Sequence, residues 1–247
     1  MLPPKTVQLD PAESPLCEEI LSRLVGLLAI LISFACVDPY QPTQTELVVA
    51  HAKTAVVKLS IPGRVCTAFH IGNDIFITAA HCLDGERLLF LEDNMGGSYL
   101  AVPVIIDEKT DLATLHSKKH FTGGTLELWG QSDEKPHLGA EIISFGYPGY
   151  YGTGFIFEAG LIKGFATQDG VRLIVSNNLG YFGESGGPVV SVQSGKVVGV
   201  TDALSEQITR INSTTHLHNT ISLIVAAPEL LAIVERTQLE KFELEGI

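Results

Sequence analysis

The hexapeptide Gly183-Glu184-Ser185-Gly186-Gly187-Pro188 carries the sharpest chemical signal in this chain. A serine hydroxyl attacks a carbonyl only if a base takes its proton and nearby donors stabilise the oxyanion that forms. Glycines around Ser185 let the backbone turn so that two amide N–H groups converge on one point, which a Cβ would obstruct. The same hexapeptide also suits a Gly-rich β-turn with a surface serine, so the choice rests on partners elsewhere. A base is available in Thr78-Ala79-Ala80-His81-Cys82, which follows the apolar run Ile75-Phe76-Ile77. An acid able to orient that base is available at Asp111, directly before another strand-like run, with Asp107 as its rival one strand-end earlier.

Chain order separates two hydrolytic arrangements. Gly-x-Ser-x-Gly also describes the nucleophile elbow of α/β-hydrolases, where the acid and then the histidine follow the serine. Only 62 residues follow Ser185, and they lack alternating strands and helices. Asp202, His216 and His218 are the candidates there, too closely spaced for that fold. The order His81, Asp111, Ser185 is instead that of the chymotrypsin arrangement.

On these residues the chain resembles the trypsin-like serine peptidases. TAAHC at 78–82 and GESGGP at 183–188 are similar to that family's histidine and serine motifs, and Asp111-Leu112-Ala113-Thr114-Leu115 to its aspartate motif. Spacings of 30 and 74 residues within the triad resemble compact bacterial HtrA-type and glutamyl-endopeptidase-like members. Phe145-Gly146-Tyr147-Pro148 and Val198-Gly199-Val200-Thr201 are similar to HtrA-type segments. The resemblance covers roughly residues 47–236 and implies two six-stranded β-barrels with the triad in the cleft between them. It implies Ser185 as nucleophile, His81 as general base and acid, and Asp111 as the group that orients and stabilises the imidazole. It further implies an oxyanion hole from the N–H groups of Gly183 and Ser185, and a disulfide between Cys66 and Cys82, 16 residues apart.

Some features depart from the family pattern. Glu184 stands where many members have Asp, and nothing resembles an activation sequence, so a site formed without proteolytic activation is expected. No PDZ domain is expected after about residue 242. Leu179, Thr201 and His216 are the candidate specificity-pocket residues. Leu179 falls near the pocket base, where trypsins carry Asp, which argues against an Arg/Lys preference. His216 and His218 have no third ligand nearby, so no metal site is expected. By resemblance to glutamyl-specific relatives, they are candidates for reading a substrate carboxylate. Trp129 and Tyr150-Tyr151 read as packing or loop residues.

The elements that must position these side chains are short. From about Glu46, apolar runs rich in Val and Ile alternate with turn signals, with predicted strands at Thr54–Ile61, Val65–Ile71, Ile75–Thr78, Arg87–Leu91, Tyr99–Ile106, Leu112–His116, Glu141–Phe145, Phe155–Ile162, Val171–Ser176, Pro188–Val192, Lys196–Thr201 and Thr220–Val225. Only Pro228–Phe242 has a helical pattern, with Pro228 and Glu229 suited to a first turn. A dozen such strands without intervening helices suggest an all-β sandwich or barrel pair, and the resemblance implies two six-stranded antiparallel barrels with a C-terminal helix. A chain of 247 residues with 45% hydrophobic content is long enough to bury such a core. A net charge of −12 repels phosphate backbones, so nucleic acid is not an expected partner.

The N-terminal region reads differently. Leu24–Val37 runs 14 residues without a charge, about 21 Å as a helix, which is shorter than a hydrocarbon core but suits the apolar part of an export signal. Asp10, Glu13, Glu18 and Glu19 precede it, where a signal would be basic, and Cys36 sits where an acylated cysteine could sit. A buried helix of the domain is the other reading. Cys17 has no assignable partner. The expected organisation is a tail at 1–19, a signal or membrane anchor at 20–37, a linker at 38–46, the peptidase domain at 47–236 and a tail at 237–247. Taken together, the sequence predicts a secreted or envelope-bound serine endopeptidase acting on polypeptides without a cofactor. A non-catalytic binding module that keeps the fold is the alternative.

Overall fold

The computed structural model describes residues 40–130, 132–133, 135–149, 154–178, 180–211 and 215–245, with the backbone alone described over 203–211, 215–223 and 241–245. The expected tail and signal or anchor segment at 1–37 lie outside the described residues, as do Leu179 and Tyr150-Tyr151. Among the described residues no helix is long and apolar enough to cross a membrane. The chain divides after Pro42, and Thr43–Ile247 is one unit.

Twelve strands close into two antiparallel barrels. The first contains β1 (Val56–Ile61), β2 (Arg64–Gly72), β3 (Ile75–Ala79), β4 (Leu89–Glu92), β5 (Ser98–Asp107) and β6 (Leu112–Ser117), in the order β1-β2-β3-β6-β5-β4. The second contains β7 (Glu141–Gly146), β8 (Ile156–Gln168), β9 (Val171–Ser176), β10 (Pro188–Ser191), β11 (Val197–Ile211) and β12 (Thr215–Ala226), in the order β10-β11-β12-β9-β8-β7. Turn chemistry sets two of the hairpins. Asn73-Asp74 (φ +52° and +60°) joins β2 to β3, and Asp169-Gly170 (φ +52° and +83°) joins β8 to β9. Two consecutive residues with positive φ match the right-handed twist of the flanking strands.

Phe76, Leu59, Leu91 and Leu115 fill the first barrel, and each is fully buried. A second cluster runs from Phe69 and Ile77 on the first barrel to Ile143, Phe145 and Val189 on the second. The two barrels therefore meet across a continuous apolar contact rather than a wet seam.

Among the described residues two helices flank the barrels, one more than the pattern of the domain predicts. Helix α1 (Gln44–Ala55) occupies the end of the expected linker and the first two residues of an expected strand. Its start is a capping box: the Glu46 N–H donates to Thr43 Oγ1 (3.2 Å), and the Thr43 N–H donates to Glu46 Oε2 (2.7 Å). That local pairing, together with burial of Val48, Ala52 and Ala55, overrides the weak strand signal at Thr54. Helix α2 (Ala227–Glu245) brackets the expected helix. It buries Leu230, Ile233 and Thr237, and it reaches back to the first barrel, where Thr237 and Thr114 share a hydroxyl hydrogen bond (2.8 Å) and Arg236 Nη1 donates to Asp107 Oδ2 (2.5 Å).

β8, β11 and β12 are longer than their apolar runs. β11 and β12 pair from Gly199↔Ala226 out to Ile211↔Thr215, across a polar stretch that carries no alternation signal. Backbone hydrogen bonds hold such a ladder without an apolar face, so periodicity alone underestimates it.

Replacing Thr43 with Ala should cost about 1 kcal/mol through loss of the cap. Replacing Phe76 with Ala should cost about 3–5 kcal/mol through the cavity it leaves. Urea unfolding followed by far-UV circular dichroism measures both.

Candidate active site

Strand register brings the histidine and its acid together. β3 pairs β6 with Ala79 opposite Leu112, so the residues just past these ends, Ala80-His81 and Asp111, are neighbours. The Ala80 N–H donates to the Asp111 carbonyl (2.9 Å), and the His81 N–H donates to Asp111 Oδ1 (2.8 Å). His81 Nδ1 lies 2.5 Å from Asp111 Oδ2. Asp111 adopts φ +52°, a left-handed conformation that costs a non-glycine residue about 1 kcal/mol. Three hydrogen bonds hold it there. The rival Asp107 is engaged elsewhere, with Arg236 and with the N–H groups of Lys109 and Thr110.

The electrostatics follow from these contacts. Hydrogen bonding to Asp111 raises the His81 pKa against the opposing effect of burial. For Asp111, burial works against the charged form, but hydrogen bonds from His81 and Asp202 outweigh it and hold the carboxyl below its ordinary range.

Ser185 lies between β9 and β10 on a loop clamped against the first barrel. The Thr67 N–H donates to the Ser185 carbonyl (2.9 Å), and Thr67 Oγ1 donates to the Gly183 carbonyl (2.7 Å). The Tyr147 N–H in turn donates to Thr67 Oγ1 (3.0 Å). Gly183 has φ +107°, and a Cβ there would collide with the Tyr147 carbonyl, so only glycine fits. The Phe182 carbonyl accepts from the Gly149 N–H (2.8 Å), and the Glu184 carbonyl accepts from the Gly187 N–H (2.8 Å). In a trans peptide C=O and N–H point in opposite directions. The N–H groups of Gly183 and Ser185 are thereby turned away from Gly149 and Gly187.

His81, Gly183 and Ser185 line one cleft of about 1120 Å³, together with Gly180, Tyr181, Phe182, Thr201 and Asp202. Lys58, Ile61, Arg64, Val65 and Cys66 of the first barrel also line it. The Cys66–Cys82 disulfide ties β2 to the 3-10 turn Ala80–Cys82 that carries His81. Of the specificity candidates, Thr201 lines the cleft, and its hydroxyl has no hydrogen-bond partner among the described residues. Leu179 lies outside the described residues, and so does the His216 side chain, whose backbone on β12 pairs with Arg210. Trp129 is buried in the core.

Thr67 escapes a motif reading, and the sequence gives no role at this site to Asp202 or Glu184. Thr67 sits mid-strand with no flanking signal. Asp202 belongs to the site through its contact with Asp111, and the signal for it was its place directly after Val198-Gly199-Val200-Thr201. Glu184 is buried, accepts from the Tyr181 N–H (3.1 Å), and has no partner for Oε1 among the described residues. Burial raises its pKa to about 7. Two groups have potential ligand atoms within 4.8 Å of one another, Cys66/His81/Cys82 and His81/Asp111/Asp202. In the first the sulfurs are bonded to each other, and in the second both Asp111 oxygens hydrogen-bond to His81.

Comparison with known proteins bears on this arrangement. A family model for the trypsin-like peptidase domain matches residues 66–200. The chain is similar to serine protease HTRA1 of Xenopus tropicalis, at 27% identity over 151 residues. That match covers 58% of this chain and 32% of the relative, so the chain spans about a third of the curated protein it matches. Among solved structures it is similar to the inactive form of the Rv3671c protease of M. tuberculosis H37Rv, with a TM-score of 0.63, 21% identity, and coverage of 81% of this chain and 99% of that one. It is also similar to the serine endoprotease from Yersinia pestis, with a TM-score of 0.65, 20% identity, and coverage of 80% and 68% respectively. At these identities the solved structures bear on the fold alone.

Replacing Thr67 with Val keeps the shape but strands the Gly183 carbonyl and the Tyr147 N–H. The expected loss is roughly 2–4 kcal/mol, read by urea unfolding. For Glu184 the pH dependence has a definite sign. Its folded-state pKa lies above the ordinary 4.5, so the native state keeps a proton that the unfolded chain has released. Its contribution therefore falls as pH rises from about 4.5 to about 7, by an amount on the order of 3 kcal/mol. Glu184→Gln, which never ionises, should gain stability relative to the parent protein over that window when unfolding midpoints are compared at pH 5 and pH 8.

Proposed function

Since this chain belongs to the trypsin-like peptidase family, we propose that it is a serine endopeptidase using His81, Asp111 and Ser185. The observation that carries this reading is the bridge from His81 Nδ1 to Asp111, with His81 and Ser185 both lining one cleft.

On this reading the steps are those of acyl transfer through the serine. An extended polypeptide lies in the cleft, and Ser185 Oγ attacks the scissile carbonyl carbon while His81 Nε2 takes the hydroxyl proton. The new oxyanion accepts hydrogen bonds from the N–H groups of Gly183 and Ser185, each worth about 3 kcal/mol in the transition state. Collapse breaks the C–N bond, and His81 returns its proton to the departing amine, leaving an acyl-enzyme. Water then attacks the ester with His81 again as base, releasing the acid and restoring Ser185. Asp111 stays ionised throughout; it fixes the imidazole tautomer and stabilises the imidazolium. No step calls on a cofactor. Export or anchoring through residues 20–37 belongs to the same proposal, and intact-mass measurement of the fractionated protein tests it.

A fluorophosphonate probe should label Ser185 in the wild type and fail to label Ser185→Ala. The variant should lose at least roughly a thousandfold in kcat on a casein-derived peptide library. A wild type that resists the probe would leave the non-catalytic binding module as the better reading. The pH profile supplies a separate check. His81 must be neutral to act as a base, and its hydrogen bond to Asp111 raises its pKa. The acid limb of kcat/KM should therefore have its midpoint above the ordinary imidazole value of about 6.5.

A further inference from the structure

The cleft contains an ionisable side chain that this mechanism does not use. Asp202 follows Thr201 on β11, and the Thr201 N–H donates to the Gly187 carbonyl (2.9 Å), so the strand pairing that seats the serine loop also places Asp202. The side chains of Asp202, Asp111 and His81 present polar atoms within 4.8 Å of one another. At that separation the two carboxyls act on one another's ionisation, Asp202 being pushed up and Asp111 held down. Two ionised carboxylates offer only acceptors, so a hydrogen bond between them requires a proton on one. Asp111 already accepts from His81 at both oxygens, which stabilises its ionised form. A proton held by the pair therefore belongs on Asp202.

The electrostatic surroundings agree with that assignment. Burial and the charge of Asp111 push the Asp202 pKa up to about 7, while Asp111 is held low. His81 is the group that opposes the Asp202 shift. From β2, Arg64 acts on the imidazole in the opposite sense to the two carboxylates, and it is itself paired with Asp84 at 3.3 Å.

We propose that Asp202 is a positioning residue of this site: its carboxyl proton is donated to Asp111 and holds that carboxylate against His81 Nδ1, and loss of the proton puts a second negative charge beside the imidazole. The catalytic consequence rests on the peptidase reading, but the carboxyl pair itself does not. Asp202 thus links the site to ambient pH in two ways. While protonated it braces Asp111. Once ionised it withdraws the brace and favours the imidazolium over the neutral base.

Two variants separate these effects. Asp202→Asn keeps an N–H donor to Asp111 and cannot ionise, whereas Asp202→Ala lacks both properties. The His81 titration is followed by NMR on the full chain, through its ring C–H proton, alongside kcat and KM on the peptide library. In both variants the His81 midpoint should move down by about half a unit to one unit, because a neighbouring negative charge is gone. In Asp202→Ala kcat should fall roughly tenfold to a hundredfold with KM within about twofold, and Asp202→Asn should recover it to within about threefold. An unchanged His81 midpoint in Asp202→Asn overturns the proposal even if the Ala variant does not fold, as does an equal loss of kcat in both variants. If the midpoint moves while the wild type shows no Ser185-dependent hydrolysis, the carboxyl pair stands and the peptidase reading is what fails.

Discussion

Thr67 on β2 donates its hydroxyl proton to the Gly183 carbonyl and accepts from the Tyr147 N–H, while its own N–H donates to the Ser185 carbonyl. One fully buried side chain of the first barrel therefore fixes the serine loop and the end of β7, which both belong to the second. A site assembled from two barrels works only if His81 and Ser185 keep a constant separation. Apolar contact between the barrels supplies most of the adhesion, but it is non-directional and would tolerate sliding. The hydrogen bonds of Thr67 are directional and water-excluded, so a slide would leave buried donors and acceptors unpaired. Thr78 Oγ1 donates to the Thr67 carbonyl (2.7 Å) and extends the same knot to the strand that leads into His81.

The acid side of the site is braced by the C-terminal helix. Asp111 is held in a left-handed conformation at the start of β6, a position that would relax without external support. The β5–β6 hairpin that carries it is pinned by α2 through Thr114–Thr237 and Arg236–Asp107. The helix that follows the second barrel thus stabilises the first barrel's contribution to the site. The disulfide does the same for the histidine turn.

Charge in the cleft is arranged against the cost of burying it. Asp111 is a half-buried anion compensated by His81 and Asp202, whereas Glu184 is a buried acid with no cation beside it among the described residues and is pushed toward its neutral form. The two carboxyl groups next to the serine machinery, Asp202 and Glu184, both have pKa values raised to about 7. Both are therefore sensitive to pH in the range where the imidazole itself titrates.

What the residues determined by themselves was the local chemistry. The glycines around Ser185, the apolar strand before His81 and the Asn-Asp and Asp-Gly turns each act over a few neighbours, so the strands and the three motif residues could be read without coordinates, while the two barrels came from the family resemblance. Helix α1 was legible in principle, because its capping box spans only Thr43 to Glu46, but the strand-forming residues after it obscured the signal. Thr67, the contact of Asp202 with Asp111 and the bracing by Arg236 were decided by tertiary structure alone. Each acts through a partner between 91 and 129 residues away, and a threonine or an aspartate within a strand carries no mark of the loop it will meet once the barrels close. Directional contacts between segments far apart in the chain depend on register and packing, and those exist only in the folded molecule.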